Sequence, residues 1–318
     1  MQIIYEMMDN TVFYPRIKYL KIDSKYKKFD KRVENFHRAY YKLYNIKQFV
    51  KIPFNQDLEK FELKAKESQF RILSWNIHGF LQSFDNTGKV LDFFKPNSDG
   101  VINIIKKTES DVVCLQEFEP ITYKKNNDHT INNFFNKMQD YKIEIDGKLV
   151  NNYLSPNIFH GLATISINQL IKNIDIGKTI IPNKFTRYHL GTKLTYNNED
   201  FLIINIHLRC RNLYANDLII QIKNILNIYK ENAKKENIII IGDFNFEVKN
   251  NLDKISLANY KKINLDKPNP NFTSFNGLEI DQVIVSNYLY SKYNFELNVI
   301  PTIISDHYPI ILDLYPKN

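Results

Sequence analysis

The sequence lacks the features that mark membrane, secreted and disulfide-stabilised proteins. No apolar run in its 318 residues is long enough to span a bilayer. The N-terminal residues MQIIYEMMDN do not show the basic-then-apolar order of a secretory signal. The two cysteines, Cys114 and Cys210, do not suggest a disulfide framework. These absences predict an intracellular protein, cytoplasmic or nuclear, that is kept reduced and is not secreted.

Several short motifs are also missing, and each absence excludes a type of chemistry. Without CxxC or HExxH spacing, a zinc site is not expected. Neither a Walker-type phosphate loop nor a GxGxxG motif occurs, so nucleotide-driven and dinucleotide chemistry have no support. A GxSxG nucleophile elbow is absent too. The remaining candidates are chemistries built on carboxylates, carboxamides and histidines.

The positive charge of the chain is concentrated near its N-terminus. The formal net charge is +8, and residues 1–70 hold 15 Lys and Arg against 9 Asp and Glu. Within residues 24–52, apolar side chains recur at spacings of three and four, which predicts an amphipathic helix with a basic opposite face. We therefore expect residues 1–69 to form a basic, aromatic-rich helical extension. Such a helix either contacts nucleic acid or docks on the body of the protein.

The body, residues 70–318, contains strand-like apolar runs that are bounded by polar side chains. The clearest run is Ile238–Ile241, which Gly242 ends, and Asp243 and Asn245 follow at alternate positions. In an extended chain these two side chains point the same way. Strands outnumber helices and many connections are too short for helical crossovers, which predicts mixed sheets with helices outside. Polar residues also begin, end or precede other runs: Asn76, Glu117, His207, Asp281, Asp306 and His307.

Helical patterns are fewer. Asp99 is a candidate cap for a helix that runs through Glu109. A second helix is predicted to follow His207 and to continue to about Lys235. Residues 119–150 are polar and Asn-rich, with one short helical pattern, and we expect them to be surface insertions.

The polar strand ends restrict the chemistry if they converge at one edge of the sheets. Carboxylate and carboxamide oxygens are hard ligands, suited to Mg²⁺ or Mn²⁺. A metal-bound phosphate attacked by water fits these residue types.

Six short motifs lie along the body: WNIHG (75–79), LQE (115–117), IHL (206–208), GDFN (242–245), IDQVIV (280–285) and SDH (305–307). In their residues and in their order over residues 70–318, they resemble the endonuclease/exonuclease/phosphatase superfamily. The resemblance implies an α/β fold, a four-layered sandwich of two packed mixed β-sheets flanked by helices.

The resemblance also implies a role for each polar residue of the motifs. Asn76 and Glu117 would help to hold the divalent metal, Mg²⁺ or Mn²⁺, with Asp306 close by. Asp243 would take the proton from the attacking water. Asn245 would position that water and the phosphate.

The histidines would act on the phosphate itself. His307, oriented by Asp281, would bind a phosphoryl oxygen and stabilise charge in the transition state. His207 would be a second imidazole near the scissile phosphate. His207 is shared with the deoxyribonuclease I, sphingomyelinase, deadenylase and 5′-tyrosyl-DNA phosphodiesterase branches of the superfamily.

Two functions remain open after this comparison. The first is a divalent-metal-dependent phosphodiesterase that acts on nucleic acid, as a nuclease or an enzyme that processes DNA or RNA ends. The alternative is a phosphatase or phosphodiesterase for a phosphoinositide or phospholipid head group, with the basic helix facing a membrane surface. No site position is replaced, which argues against a catalytically inactive scaffold.

Overall fold

A computed structural model describes residues 70–84, 90–118, 130–138, 142–146, 161–166, 171–179, 187–208, 215–251, 254–266, 273–274 and 277–317. The predicted helical extension over residues 1–69, and the boundary that separates it from the body, lie outside these residues. The elements are β1 (Phe70–Asn76), β2 (Leu81–Phe84), β3 (Val90–Pro96), α1 (Ser98–Thr108), β4 (Val112–Phe118), α2 (Thr130–Lys137), β5 (Lys142–Asp146), β6 (Gly161–Ser166), β7 (Ile171–Thr179), β8 (Arg187–Tyr196), β9 (Glu199–His207), α3 (Ala215–Ile228), β10 (Asn237–Asp243), β11 (Tyr260–Ile263), β12 (Asp281–Ser286), α4 (Asn287–Lys292), β13 (Tyr293–Val299) and β14 (Ile310–Pro316).

In the described part of the chain these strands form two six-stranded sheets and a small β2–β3 ribbon. The first sheet has the order β13-β14-β1-β4-β6-β5, and the second has the order β11-β12-β10-β9-β8-β7. Each sheet has one parallel pair at its centre, β1 with β4 and β9 with β10. The strands on either side of these pairs run antiparallel. Both sheets are therefore mixed, as predicted.

The isoleucine run of β10 shows how the layers pack. Ile239 and Ile241 lie in the apolar core between the two sheets, together with Ile72 of β1. Ile238 and Ile240 point the opposite way, into a second core. Successive side chains of a strand alternate between its faces, so an unbroken apolar run is what a strand buried on both faces requires.

Helices cover the outer faces of both sheets. Leu218, Ile222 and Ile225 of α3 pack against the second sheet. The outer face of the first sheet is covered by α1 and α2, whose apolar side chains share a core with Trp75 of β1. The result is a four-layered sandwich, which confirms the predicted fold class. No helix in the described residues is long and apolar enough to cross a membrane.

The helix boundaries differ from those predicted. Helix α1 is capped by Asn97, whose side chain accepts the backbone N–H of Gly100, and not by Asp99. Helix α3 ends at Ile228 and not near Lys235. The expectation that residues 119–150 are surface insertions is wrong for α2, because Phe134 is fully buried against the first sheet. It is also wrong for β5, which pairs with β6 as a strand of that sheet.

The topology places the ends of six strands at one edge of the sandwich. Strands β1 and β4 are parallel and both end there, and so do β9 and β10. The neighbouring strands β12 and β14 run the other way, so they begin at the same edge. The polar strand ends found in the sequence therefore come together at this edge.

Candidate active site

Strand β10 ends in the middle of this edge, and Gly242 allows it to do so. The φ angle of Gly242 is 140°, and a Cβ atom at this position would overlap the backbone oxygen of Ile206 on β9. Only glycine fits where two backbones come so close. The register then places Asp243 beside His207 of β9 and opposite Asp281 of β12.

Asp243 is a buried carboxylate held by three hydrogen bonds. Oδ1 accepts the backbone N–H of Asn245 at 2.7 Å, and Oδ2 accepts the side-chain amides of Asn76 at 3.0 Å and Asn245 at 3.2 Å. Burial raises the pKa of Asp243 to about 7; His307 opposes this rise, and the nearby charge of Asp281 adds to it. A carboxylate with this pKa is a much better proton acceptor near neutral pH than an ordinary Asp.

His307 and Asp281 form a second buried pair next to Asp243. Nδ1 of His307 lies 2.8 Å from Oδ2 of Asp281, while its Nε2 lies 3.8 Å from Oδ2 of Asp243. Burial disfavours the imidazolium, but the charges of Asp281 and Asp243 outweigh it and raise the pKa of His307 well above 6.5. The neighbouring carboxylates therefore favour the protonated, cationic imidazole. Asp281 is itself held in place, because its backbone N–H donates to Thr273 Oγ1 at 2.9 Å.

Glu117 reaches the site because strand β4 is bulged. The pairing of β4 with β6 shifts between Gln116 and Phe118, and Glu117 adopts a left-handed backbone with φ 51°. A bulge redirects the side chain of its extra residue. Oε1 of Glu117 lies 3.3 Å from the side-chain nitrogen of Asn76, so two of the three residues expected to hold a metal are neighbours.

His207 lies close to two carboxylates, that of Asp243 on the neighbouring strand β10 and that of Glu117 across the gap between the sheets. Its Nε2 lies 3.5 Å from Oδ2 of Asp243 and 3.8 Å from Oε1 of Glu117. Asn245, which has a left-handed backbone with φ 56°, donates its side-chain amide to the backbone oxygen of Leu208 at 2.7 Å. This bond ties the turn after β10 to the end of β9.

Asp306 lies beside the first sheet, next to a histidine to which the sequence analysis gave no role. Oδ1 of Asp306 is 3.9 Å from Nδ1 of His78, and both side chains are largely buried. Asn76 connects the two segments, because its Oδ1 accepts the backbone N–H of His78 at 3.0 Å and its backbone oxygen accepts Ser305 Oγ at 2.7 Å. The position of His78 in WNIHG, two residues after Asn76, was the signal that could have identified it.

Two further polar residues, Gln116 and Asn205, support the site from below. The side-chain nitrogen of Gln116 donates to Oδ1 of Asn205 at 2.8 Å, which connects β4 to β9 across the two sheets. Asn205 donates to the backbone oxygens of Leu115 at 3.1 Å and Ala163 at 3.0 Å. Both side chains are fully buried beside the apolar core between the sheets. A polar residue inside an apolar run was the available signal.

Two sets of residues could hold a cation. The ligand atoms of Asp243, Asp281 and His307 lie within 4.8 Å of one another, the one such group of three found in the described chain. The other set is Asn76, Glu117 and Asp306, the metal set expected from the sequence. Asn76 connects this set, because its side chain bonds Glu117 and its backbone oxygen accepts Ser305 Oγ next to Asp306.

The second set suits a hard divalent cation better. Glu117 is partly exposed, and its Oε2 makes no hydrogen bond to the described residues. Asn76 Oδ1 accepts one backbone N–H, and a carbonyl oxygen has a second lone pair. In the first set, Nδ1 of His307 is already bonded to Asp281 and the carboxylate of Asp243 accepts three hydrogen bonds, so fewer lone pairs are left for an ion. Carboxylate and carboxamide oxygens are the ligands that Mg²⁺ and Mn²⁺ prefer.

A two-sheet sandwich that brings carboxylates and imidazoles together at one edge offers the groups that acid–base catalysis uses. Residues 73–307 match the model of the Endonuclease/Exonuclease/phosphatase family, and the chain belongs to this family. Members of the family are in general phosphoester hydrolases. A comparison with curated protein sequences finds no match.

Solved structures share the fold. The catalytic domain of human Nocturnin with bound sulfate anion is 18% identical, with a TM-score of 0.57 over 82% of this chain and 98% of that chain. A humanised TDP2 from D. rerio is 15% identical, with a TM-score of 0.54 over 77% and 98%. A family member from Leptotrichia buccalis is 17% identical, with a TM-score of 0.53 over 77% and 99%.

Proposed function

We propose that this protein is a divalent-metal-dependent phosphodiesterase that acts on nucleic acid, as a nuclease or an enzyme that processes DNA or RNA ends. The observation that carries the proposal is the buried carboxyl of Asp243. Its pKa is raised to about 7, and it lies between two imidazoles and an oxygen-rich ligand set. This combination offers a proton acceptor, a cationic donor and a metal position within one pocket.

In this proposal Asp243 is the general base. Its carboxylate takes the proton from the attacking water, and a base works best when its pKa lies near the working pH. Asn245 fixes the carboxylate with two hydrogen bonds, from its backbone and its side chain. Asn245 positions the water and the phosphate in this proposal.

His307 acts on the phosphate. Asp281 holds Nδ1, so Nε2 is directed into the pocket and its N–H can donate to a phosphoryl oxygen. The imidazolium of His307 stabilises the negative charge that develops on that phosphoryl oxygen. Removing one stabilising group of this kind typically lowers the rate by about a hundred- to thousandfold. His207, at the end of β9, is placed as a second imidazole near the scissile phosphate.

Asn76, Glu117 and Asp306 would hold the divalent cation, Mg²⁺ or Mn²⁺. When bound, such an ion polarises the phosphoryl oxygen and withdraws negative charge from it. Members of the family are typically dependent on a divalent metal. Glu117→Gln, which removes the negative charge and one of the two carboxylate oxygens, should weaken cation binding while the fold remains.

The site assignment can be tested with matched variants. Asp243→Asn and His307→Gln should lower the hydrolysis of bis(p-nitrophenyl) phosphate by at least about a hundredfold. Asp200→Asn changes an exposed Asp, and His189→Gln changes a buried His that contacts Tyr229. Both controls should keep near wild-type rates. Full metal-dependent activity of Asp243→Asn on every substrate would refute the assignment.

The preference for nucleic acid rests on the basic segment before the body. Replacing Lys27, Lys28, Lys31 and Arg32 by Gln should weaken binding to an oligonucleotide and flatten its salt dependence, because each lost phosphate contact lowers the slope by about 0.7 for single strands. Turnover of the small diester should not change.

The alternative substrate is a phosphoinositide or phospholipid head group. Selective binding to anionic vesicles, with hydrolysis of inositol phosphates and none of DNA or RNA, would favour it. A panel of single- and double-stranded DNA, RNA and inositol phosphates, each with Mg²⁺ and then Mn²⁺, separates the two functions.

A further inference from the structure

The turn that follows β10 carries Asn245 in an uncommon backbone conformation. Asn245 has a left-handed φ of 56°, and its backbone N–H and its side-chain amide both donate to the carboxylate of Asp243. The orientation of the Asn245 side chain therefore depends on the path of the whole turn. Where the turn begins, this path is fixed by Phe244, whose backbone N–H donates to the backbone oxygen of Ile280 at 2.8 Å.

Where the turn ends, its path is fixed by one buried side chain, that of Gln282 on β12. Oε1 of Gln282 accepts the backbone N–H of Val248 at 3.1 Å, and Nε2 donates to the backbone oxygen of Phe246. A carboxamide has one acceptor end and one donor end, and Gln282 uses both of them on this single turn. The residue is only 1% exposed, so it holds the turn from inside the protein and does not reach a substrate.

The start of strand β12 connects this turn to the histidine of the site. Oδ2 of Asp281 lies 2.8 Å from Nδ1 of His307. Gln282, the next residue, points its side chain to the other face of the sheet, because successive side chains of a strand alternate. Ile280 and Gln282, on either side of Asp281, both bond the turn after β10. Three successive residues of β12 thus set the position of Asn245 relative to His307.

We propose that Gln282 is a positioning residue for the hydrolysis. It holds Asn245 in the orientation that places the attacking water and the phosphate, and it raises kcat without contacting the substrate. This inference rests on the proposed function, which gives Asn245 its role. A misplacement of about 1 Å caused by a distant substitution can lower a rate about a hundredfold, so the loss of two bonds that fix this turn is enough to slow the reaction.

Gln282→Met in the full-length protein tests this role, because Met has nearly the length of Gln but offers neither a donor nor a strong acceptor. With bis(p-nitrophenyl) phosphate and saturating divalent cation, kcat should fall about ten- to a hundredfold and KM should change by less than about threefold. Ser286→Ala is the matched control, since Ser286 lies at the far end of the same strand and its hydroxyl bonds Glu236 O and Ile238 N–H. It should lower stability in urea and leave kcat within about twofold of wild type.

A double-mutant cycle separates positioning from a general loss of structure. Asn245→Gly removes the positioned side chain, and glycine tolerates the left-handed φ. In this background Gln282→Met should lower kcat by no more than about threefold. In the Glu117→Gln background, at saturating cation, it should lower kcat by the same factor as in wild type. Equal losses in the two backgrounds overturn the inference.

Hydrogen exchange gives a readout that needs no catalysis. Gln282→Met should speed exchange of the Val248 amide, which loses its acceptor, more than that of the Ile238 amide, which keeps Ser286. Unchanged exchange at Val248 overturns the inference. If exchange speeds up at Val248 while kcat remains that of wild type, the inference fails and the proposed function stands. If wild type hydrolyses no phosphodiester with any divalent cation, both fail.

Discussion

Replacing Asp243 by Asn should change the pH dependence of folding stability, because it removes a desolvated charge from the site. The pKa of this carboxyl is about 7 in the folded chain, against 3.8 for an ordinary Asp. A shift of roughly 3 pKa units corresponds to about 4 kcal/mol. Between about pH 4 and pH 7 the folded state keeps a proton that the unfolded state has lost, so wild-type stability falls as the pH rises through this window.

The asparagine side chain brings a cost of its own. Oδ2 of Asp243 accepts hydrogen bonds from the amides of Asn76 and Asn245, and an NH₂ group there would face two donors. A buried group left without its hydrogen bonds costs about 1–3 kcal/mol. At pH 8 we therefore expect Asp243→Asn to be more stable than wild type by about 1–3 kcal/mol. At pH 5 we expect Asp243→Asn to be as stable as wild type or up to about 2 kcal/mol less stable. The reason is that the charge penalty of wild-type Asp243 is smaller by roughly 3 kcal/mol at pH 5 than at pH 8.

Urea unfolding at both pH values, in EDTA so that no divalent ion contributes, measures this difference. Asp200→Asn is the matched control, since Asp200 is exposed on β9 and bonds only near the surface, to Thr195 and Lys193. Its effect should stay within about 0.5 kcal/mol. If the stability difference between Asp243→Asn and wild type were the same at pH 5 and pH 8, the carboxyl would not have a raised pKa and the reasoning would fail.

Three other predictions follow from the geometry of the site. Gly242→Ala should cost about 3 kcal/mol or more in urea unfolding, because its Cβ would overlap the backbone oxygen of Ile206; near wild-type stability would contradict the positive φ. Gln116→Leu and Asn205→Leu should each cost about 1–3 kcal/mol and the double variant less than their sum, whereas additive losses would show that the two side chains do not interact. In a pH–rate profile, kcat/KM should rise as Asp243 loses its proton near pH 7, and a bound cation should move this rise to a lower pH. A value of kcat/KM that falls as the pH rises through this range would exclude Asp243 as the base.

The sequence predicted the central strand β10 of the second sheet well, because its local pattern favours a buried strand. Ile238–Ile241 is apolar at every position, and only a strand covered on both faces accounts for such a short run; the structure buries all four side chains. Gly242 and Asp243 then followed as a strand end. The ends of the other central strands could be placed at one edge only through the resemblance to a family, because pairing order is not written in any single run.

Helix boundaries were less predictable, because several residues compete for the same role. Asn97, Ser98 and Asp99 can all cap a helix, and only the hydrogen bond from Gly100 to Asn97 distinguishes them. Helix α2 was misjudged for a different reason. Its sequence is mostly polar, and its position is decided by Phe134 packing on Phe80 and Phe118, which lie far away in the sequence.

Backbone geometry at the site was beyond the reach of sequence patterns. Glu117 could be recognised as a polar strand end, but its direction depends on a bulge that forms only when β6 pairs with β4. His78 belongs to a quoted motif, yet its left-handed turn and its approach to Asp306 arise from hydrogen bonds between segments more than 220 residues apart. These features depend on tertiary contacts, so the surrounding fold determines them.

The division of the site between two sheets explains why polar residues lie in the core beneath it. Glu117 comes from the first sheet and His207 from the second, and their facing atoms are 3.8 Å apart, which is too long for a hydrogen bond. Apolar contacts between the sheets do not depend strongly on direction, so they do not fix the relative position of the sheets. A hydrogen bond, in contrast, fixes both distance and angle. Gln116 and Asn205 make that bond one residue from Glu117 and two residues from His207. The positions of Glu117 and His207 relative to each other are therefore set in part by this buried hydrogen bond between the two sheets.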